Sequence, residues 1–215
     1  KAFQRDSHCE AYSNELTVNV VAAPEITSID LVSNDANVCE GHIVTLKANA
    51  QGGVTGEEYI YTWYKNNEVV EGVTGDTYTD YPMSVDNDVT THVYNVTVAQ
   101  VSSACASVID VNDAITVTVR PNPRYTIYGD PTVCEVADIT IDNITLNAIT
   151  TDNTLGTFSY QWYESGVEIA GATSTTLTYH AEYRNEPYIF KMVVTDDVYS
   201  CATETAEFEV YVAQR

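Results

Sequence analysis

Tyr61-Thr-Trp-Tyr-Lys-Asn-Asn-Glu-Val-Val-Glu-Gly-Val-Thr-Gly-Asp-Thr-Tyr-Thr79 returns without a gap as Tyr160-Gln-Trp-Tyr-Glu-Ser-Gly-Val-Glu-Ile-Ala-Gly-Ala-Thr-Ser-Thr-Thr-Leu-Thr178. Trp63 and Trp162, the two tryptophans of the chain, coincide in this alignment, as do Tyr64 with Tyr163, Gly72 with Gly171, Thr74 with Thr173 and Thr77 with Thr176. The chain is therefore a tandem repeat. Around the quoted stretch the apolar period is two: Ile43, Thr45 and Lys47 alternate with Val44, Leu46 and Ala48, and Tyr94, Val96 and Val98 with Asn95, Thr97 and Ala99. Half-buried strands carry that pattern, because successive side chains leave an extended backbone on opposite faces. Gln51-Gly-Gly53, Asn66-Asn67, Asp152-Asn153 and Ser165-Gly166 supply turns between the runs.

The cysteines measure the period. Cys9, Cys105 and Cys201 are spaced 105 − 9 = 96 and 201 − 105 = 96, and Cys39 and Cys134 are 134 − 39 = 95 apart. Each late cysteine precedes a similar alternating run: Cys9 before Leu16-Thr-Val-Asn-Val20, Cys105 before Ile115-Thr-Val-Thr-Val119, Cys201 before Phe208-Glu-Val-Tyr-Val212. Residues 1–22 are thus expected to be the end of a preceding, incomplete repeat, followed by complete repeats over 23–120 and 121–215. Val21-Ala-Ala-Pro24 and Arg120-Pro-Asn-Pro123 are the links, too short to let neighbours swing freely. Seven or so strands in about 95 residues, with a Trp on the third, predict an all-β protein of tandem immunoglobulin-like antiparallel β-sandwiches. In the first complete repeat the expected strands are A (25–32), B (43–49), C (59–65), a short C′, D and E within 69–83, F (91–99) and G (107–119).

Val38-Cys-Glu-Gly-His-Ile-Val-Thr-Leu-Lys-Ala48, Tyr61-Thr-Trp-Tyr64, Gly72-Val-Thr74, Tyr94-Asn-Val-Thr-Val98 and Ser103-Ala-Cys105 resemble the tandem Ig-like and PKD-like repeats of large secreted bacterial adhesins and surface proteins. The resemblance spans essentially the whole chain, and it implies an extracellular stalk. The second copy departs from the pattern after Cys134, where Cys134-Glu-Val-Ala-Asp138 lacks the counterpart of Gly41 and the Cys-to-Trp spacing is 162 − 134 = 28 rather than 63 − 39 = 24. Its first turn is expected to differ in shape.

Composition narrows the partners. Lys plus Arg number 9 against 31 Asp plus Glu, a net charge of −22, which excludes nucleic acid and anionic membrane surfaces, since both require a basic face. The 16 tyrosines, with Leu16, Leu31, Leu46, Leu146, Leu155 and Leu177 as the only leucines, favour strands over helices. No apolar run approaches the roughly 18 residues of a membrane helix, so membrane insertion is not expected. Lys1 rather than Met opens the chain, as expected for a processed product or a part of something longer.

Five groups of residues are candidates for a role. Trp63 and Trp162, with Leu46 and Val96, are read as core, because a strand-C Trp is the plug against which both sheets pack; Tyr64 and Tyr163 then face outward and are the better candidates for touching a partner. Among the cysteines, Cys39 lies about seven residues before mid-B and Cys105 about nine beyond mid-F. At roughly 3.3 Å per residue that separates them by tens of ångströms, against the about 7 Å between Cα atoms that a disulfide allows. In an end-to-end stack, however, the A–B turn of one repeat faces the F–G turn of the next, bringing Cys39 to Cys201. Cys105 and Cys9 then point back to a preceding repeat and Cys134 forward to a following one. The alternatives are ordinary pairs within each repeat, Cys39 with Cys105 and Cys134 with Cys201, or free thiols.

Asp86 and Asp88, with Asn34, Asp35, Asn37 and Glu40 nearby, fall at the lower end of the first complete repeat; Asp152, Asn153, Asp196 and Asp197 fall at the upper end of the second. Calcium at the joint is one reading of these oxygen ligands, and a solvated acidic surface the other. No other cofactor is expected. His8, His42, His92 and His180 are scattered and read as surface or edge residues, so nothing supports a catalytic triad and no enzyme is expected. Asn95-Val-Thr97 and Asn143-Ile-Thr145 match the glycosylation sequon, and Asn95 is expected on the outer face of strand F. The function expected is that of an extracellular or cell-surface structural segment (stalk, surface layer or filament) whose partners are neighbouring repeats or copies of itself. An adhesin or carbohydrate-binding module contacting a glycan or surface ligand is the alternative.

Overall fold

The computed structural model describes residues 2–3, 10–11, 14–32, 36–101, 107, 114–134, 142–150 and 157–214. It opens with a small hairpin, β1 (Ala2–Phe3) and β2 (Glu10–Ala11). The strands β3 (Glu25–Leu31), β4 (Asn37–Cys39), β5 (Val44–Gln51), β6 (Tyr59–Lys65), β7 (Glu68–Val69), β8 (Thr77–Asp80), β9 (Thr90–Gln100) and β10 (Ile115–Arg120) then build one sandwich. One sheet has the order β3-β5-β8 and the other β4-β10-β9-β6-β7. The second set repeats the first: β11 (Tyr125–Gly129), β12 (Thr132–Cys134), β13 (Asp142–Thr150), β14 (Phe158–Glu164), β15 (Val167–Glu168), β16 (Thr176–Ala181), β17 (Tyr188–Asp196), β18 (Ala202–Glu204) and β19 (Phe208–Ala213). Its sheets run β11-β13-β16 and β12-β19-β17-β14-β15, with β18 folded back on β17. This is the all-β, immunoglobulin-like architecture.

The cores follow from the alternation. Along β9, His92, Tyr94, Val96, Val98 and Gln100 are buried and face inward. Trp63 stands opposite Val96 in the register of β6 and β9, and Leu46 opposite Tyr78 in that of β5 and β8. The Trp63 ring meets Tyr78 at 5.7 Å between centroids, and its Nε1 donates to the Gly75 carbonyl at 3.0 Å. Leu46 and Val96 are buried as aliphatic contacts where an antibody domain would carry its bridge. The second repeat reproduces the plug: Trp162 is fully buried and Nε1 donates to the Ser174 carbonyl at 2.7 Å. The two buried clusters, Ile29 to Val119 and Ile127 to Val212, share no residue. Both Trp plugs are set by the same turn device, a two-residue hairpin with positive φ at Asn66 and Asn67 in one copy and Ser165 and Gly166 in the other.

Strand A forms where expected, as β3 pairing antiparallel with β5, and a strand that was not expected, β4, joins the other sheet and pairs in parallel with β10. Two expectations need correction. Strand D does not form, because residues 70–76 cross between the sheets with Gly72 at φ 80, bonding through Thr74 O to Tyr61 N and through Asp76 O to Ala48 N. Leu16 to Val20 forms no strand although its alternation matches those of β10 and β19. Those two have strands to pair with on both sides; Leu16 and Val20, with no pairing strand among the described residues, are 86% and 91% exposed.

Candidate functional site: the joint between the repeats

The sheet switch at β4 brings Cys39 to the end of the first sandwich. β4 runs alongside β10 with Asn37 opposite Thr118, Val38 opposite Val119 and Cys39 opposite Arg120, so Cys39 stands where the chain leaves for the second repeat. Gly41 follows at φ 75, a left-handed conformation costly for side-chain-bearing residues, and its N–H donates to the Pro82 carbonyl at 2.9 Å. This closes the corner with Cys39 at the end of the sandwich, on the side of the link.

The other half of the joint is the turn after β17. Asp196 Oδ1 accepts from the backbone N–H groups of Val198 and Tyr199, both at 2.8 Å. Ser200 at φ 60 completes the reversal, and Asp196 N donates to the Cys201 carbonyl at 2.8 Å. β18 therefore starts immediately after Cys201 and returns along β17. The turn presents Cys201 and Tyr199 together at the tip.

Cys39 and Cys201 are joined by a disulfide, with their Cα atoms 5.4 Å apart and 162 positions between them in sequence. The bridge is sealed from solvent, Cys39 being 7% and Cys201 1% exposed. Beside it the Arg120 guanidinium lies 3.3 Å from the centroid of the Tyr199 ring, a cation held against a negative π-face. On the other flank, Glu40 gathers the link between the repeats. Its carboxylate accepts from Ser84 Oγ and from Asn122 N at 3.1 Å, and it pairs with the Arg124 guanidinium at 3.4 Å. Burial pushes the Glu40 pKa upward, but the Ser84 and Asn122 hydrogen bonds and the Arg124 charge together outweigh it and hold the group below the ordinary value. Disulfide, cation–π pair and carboxylate cluster thus act on the same short link, Arg120 to Arg124.

The remaining candidates fall out as follows. Cys134 is exposed and free, while Cys9 and Cys105 lie outside the described residues. So do Asp152, Asn153, Asn34 and Asp35, and the divergent turn after Cys134. Asp86 and Asp88 sit on the exposed turn between β8 and β9, where positive φ at Asp86 and Asn87 closes the hairpin. Asp197 is exposed, and one oxygen of Asp196 is committed to its own turn. Among the described residues no group of three or more His, Cys, Asp or Glu is placed to hold a metal ion. Tyr64 and Tyr163 are half-buried on the outer face, with Lys191 Nζ 5.7 Å from the Tyr163 ring centroid.

Two readings are overturned. Asn95 does lie on the outward side of β9, opposite Tyr64, but it is only 4% exposed, so its sequon is closed in the folded chain. His92 is buried rather than superficial. Asn66 Oδ1 accepts from Val93 N, so its amide nitrogen donates to His92 Nδ1, leaving His92 Nε2–H to donate to the Met83 carbonyl at 3.0 Å. It pins the β6–β7 turn to the segment before β9. Sequence reasoning missed Arg120, Tyr199 and the full role of Glu40. The one available signal was position, since Glu40 and Arg120 flank the outermost cysteine and the link.

No protein-family model and no curated protein matches this chain. Among solved structures it is similar to the fibronectin(III)-like modules of Clostridium thermocellum CbhA, at 13% identity and a TM-score of 0.33, over 89% of this chain and 94% of that one. It is also similar to the tandem Ig repeats of Dlar, at 13% identity and a TM-score of 0.32 over 90% and 100%, respectively. A third likeness is to immunoglobulin domains 1–4 of Sidekick-1, at 13% identity and a TM-score of 0.33, covering 89% of this chain and 48% of that chain.

Proposed function

We propose that the chain is a segment of an extracellular structural protein, a stalk, surface layer or filament of tandem Ig-like repeats covalently locked end to end, with residues 23–120 and 121–215 as its two complete repeats. The observation that carries this reading is the Cys39–Cys201 bridge. A disulfide within a repeat would stabilise that repeat alone; one between repeats fixes their relative position, which is what a rod requires. Disulfides of this kind persist in oxidising compartments, which supports location outside the cytosol. The charge of −22 supports solubility in a crowded surface array rather than adhesion to anionic surfaces.

The test is on native material. Thiols are trapped by alkylation at the moment of lysis, Cys39 and Cys201 are mapped, and the intact surface is imaged by immunogold electron microscopy. Cys39 linked to Cys201, in gold-labelled rods or layers outside the cell, is the expected result. Alkylated Cys39 and Cys201 in an intracellular monomer would overturn it.

A further inference from the structure

We infer that the outer edge of β16 is a docking edge for a second copy of this chain, the two β16 strands pairing antiparallel about a two-fold axis and joining two molecules side by side. The edge is bare because, as in the first repeat, no strand D covers it among the described residues. The segment before β16 bonds to β14 instead: Trp162 N donates to the Ala172 carbonyl at 3.1 Å and Trp162 Nε1 to the Ser174 carbonyl at 2.7 Å. β16 is left with β13 on one side and, among the described residues, no strand on the other. The first repeat shows which backbone groups face outward. There Ala48 N donates to the Asp76 carbonyl at 2.7 Å, so Leu46 and Tyr78, two positions along, are the next hydrogen-bonded pair. Leu146 and Leu177 are the same pair in the second repeat. Leu177 and Tyr179 therefore turn their N–H and C=O groups to β13, and Thr178 and His180 turn theirs to the open edge.

An open edge pairs with another strand unless charge, proline, a bulge or shortness protects it. The other edges of the two sandwiches have such protection. β3 carries Glu25, Asp30 and a bulge between Ile26 and Ser28. β8 has four residues, ends on Asp80 and is followed by Pro82. β11 is closed in by Pro123 and Arg124 before it and by Asp130 and Pro131 after it, and β4, β7, β12, β15 and β18 have only two or three residues each. β16, Thr-Leu-Thr-Tyr-His-Ala, has six residues, no Lys, Arg, Asp or Glu, no proline and an unbroken register with β13. Charge selects a second copy as the occupant. Each chain carries −22, so two copies repel overall and meet best where neither places a carboxylate at the contact. With the axis through Thr178, each Thr178 N–H donates to the carbonyl of the other and Tyr179 lies across from Leu177. Glu182, the first charge after the strand, lies across from Ser174 rather than from its own copy. Such an isologous contact closes on itself as a dimer.

This side-by-side contact goes beyond the end-to-end joint, which acts within one chain, and does not depend on it. It is tested by sedimentation velocity of the full chain, with free thiols alkylated so that no inter-chain disulfide contributes. The expected result is a reversible equilibrium between 23.7 kDa and 2 × 23.7 = 47.4 kDa. The dimer should gain as protein or NaCl concentration rises, since salt screens the repulsion, and hydrogen exchange at the Thr178 and His180 amides should slow with it. Thr178 has an exposed side chain. Thr178→Lys places two ammonium groups opposite each other across the axis and should abolish the dimer; Thr178→Glu should do the same, and an equimolar mixture of the two should restore it. Thr79→Lys, at the equivalent place on the protected edge β8, should leave the dimer unchanged. A monomer at every protein and salt concentration, a dimer that survives Thr178→Lys, or a mixture that stays monomeric overturns the inference. So does equal exchange of the Thr178 and His180 amides in monomer and dimer of the unaltered chain, which needs no variant to fold.

Discussion

Tension between the two ends of the chain reaches Cys39 before it reaches most of the first repeat, and leaves through Cys201 after bypassing most of the second. With 162 positions between the bridged cysteines, and an extended chain spanning at most about 3.3–3.6 Å per residue, roughly 530–580 Å of polypeptide is closed into a loop. Its mouth is 5.4 Å wide between Cα atoms. Both tryptophan plugs lie inside that loop, so only β3 and β4 of the first sandwich and β18 and β19 of the second can be peeled while the bond holds. In optical-trap or atomic-force extension with handles at both ends, the oxidised chain should show no release of the enclosed length. The reduced chain, or a Cys39→Ser/Cys201→Ser variant, should lengthen further by roughly 530–580 Å as the sandwiches unfold. Pairing within repeats would lock only 105 − 39 = 66 and 201 − 134 = 67 positions, which is two separate steps of roughly 220–240 Å. Two such steps, or equal extension with and without reductant, would refute the joint. On the chain-entropy view the bridge also restrains the unfolded state by about 5 kcal/mol for a loop of this length, so reduction should lower the denaturation midpoint as well.

Three other outcomes are expected. Burial, then the nearby Asp80 charge, pushes Tyr78 up to about 12; burial and the hydrogen bond to Asp80 raise Tyr94, and burial and the Tyr160 hydroxyl raise Tyr125. All three are protonated in folded and unfolded chains below the ordinary value of 10.0, so stability is fully retained there and falls as pH rises toward 12; phenolate absorbance followed together with the unfolding transition should show these three ionising only as the chain unfolds. Trp162→Ala should cost the second repeat about 3–5 kcal/mol while the remaining Trp63 fluorescence transition stays close to its original midpoint in the reduced protein, because the two buried clusters are separate. Arg120→Ala and Tyr199→Ala should each make the Cys39–Cys201 bond easier to reduce in a glutathione titration, and the double variant should be no worse than either single one, with a coupling of about 0.5–2 kcal/mol.

What the sequence made readable, and what it did not, divides along a physical line. Alternation over Val44 to Ala48 and Tyr94 to Val98, with the tryptophans, names the residues that are buried, because burial depends on a side chain and its immediate strand. Pairing depends on a second strand far away. Leu16 to Val20 has the same alternation as Ile115 to Val119 and forms no strand, with no strand paired to it among the described residues, whereas β10 has β9 and β4. The extra strand β4 is equally unreadable locally, because what pairs with Asn37–Cys39 is the edge of β10, about eighty positions later. Asn95 shows the limit from the other side: alternation puts it outward correctly, but an outward side chain can still be covered.

The joint combines both kinds of information. The equal spacing of Cys9, Cys105 and Cys201 is a one-dimensional signal that survives without coordinates, and it ties each late cysteine to the same place in successive repeats. Arg120 and Tyr199 carry no such signal, since neither recurs: their counterparts are Ala213 and Ser103. What recurs along the sequence is therefore the cysteine, whereas the cation–π pair beside the Cys39–Cys201 bridge does not recur. Exchanging Arg120 and Tyr199 for Ala and Ser in one chain should accordingly leave the Cys39–Cys201 linkage in the oxidised peptide map and loosen only the reduced form, read as a broader distribution of end-to-end distances by pulsed electron spin resonance. Loss of the linkage itself in that variant would show that the cation–π pair, not the cysteine register, directs the joint.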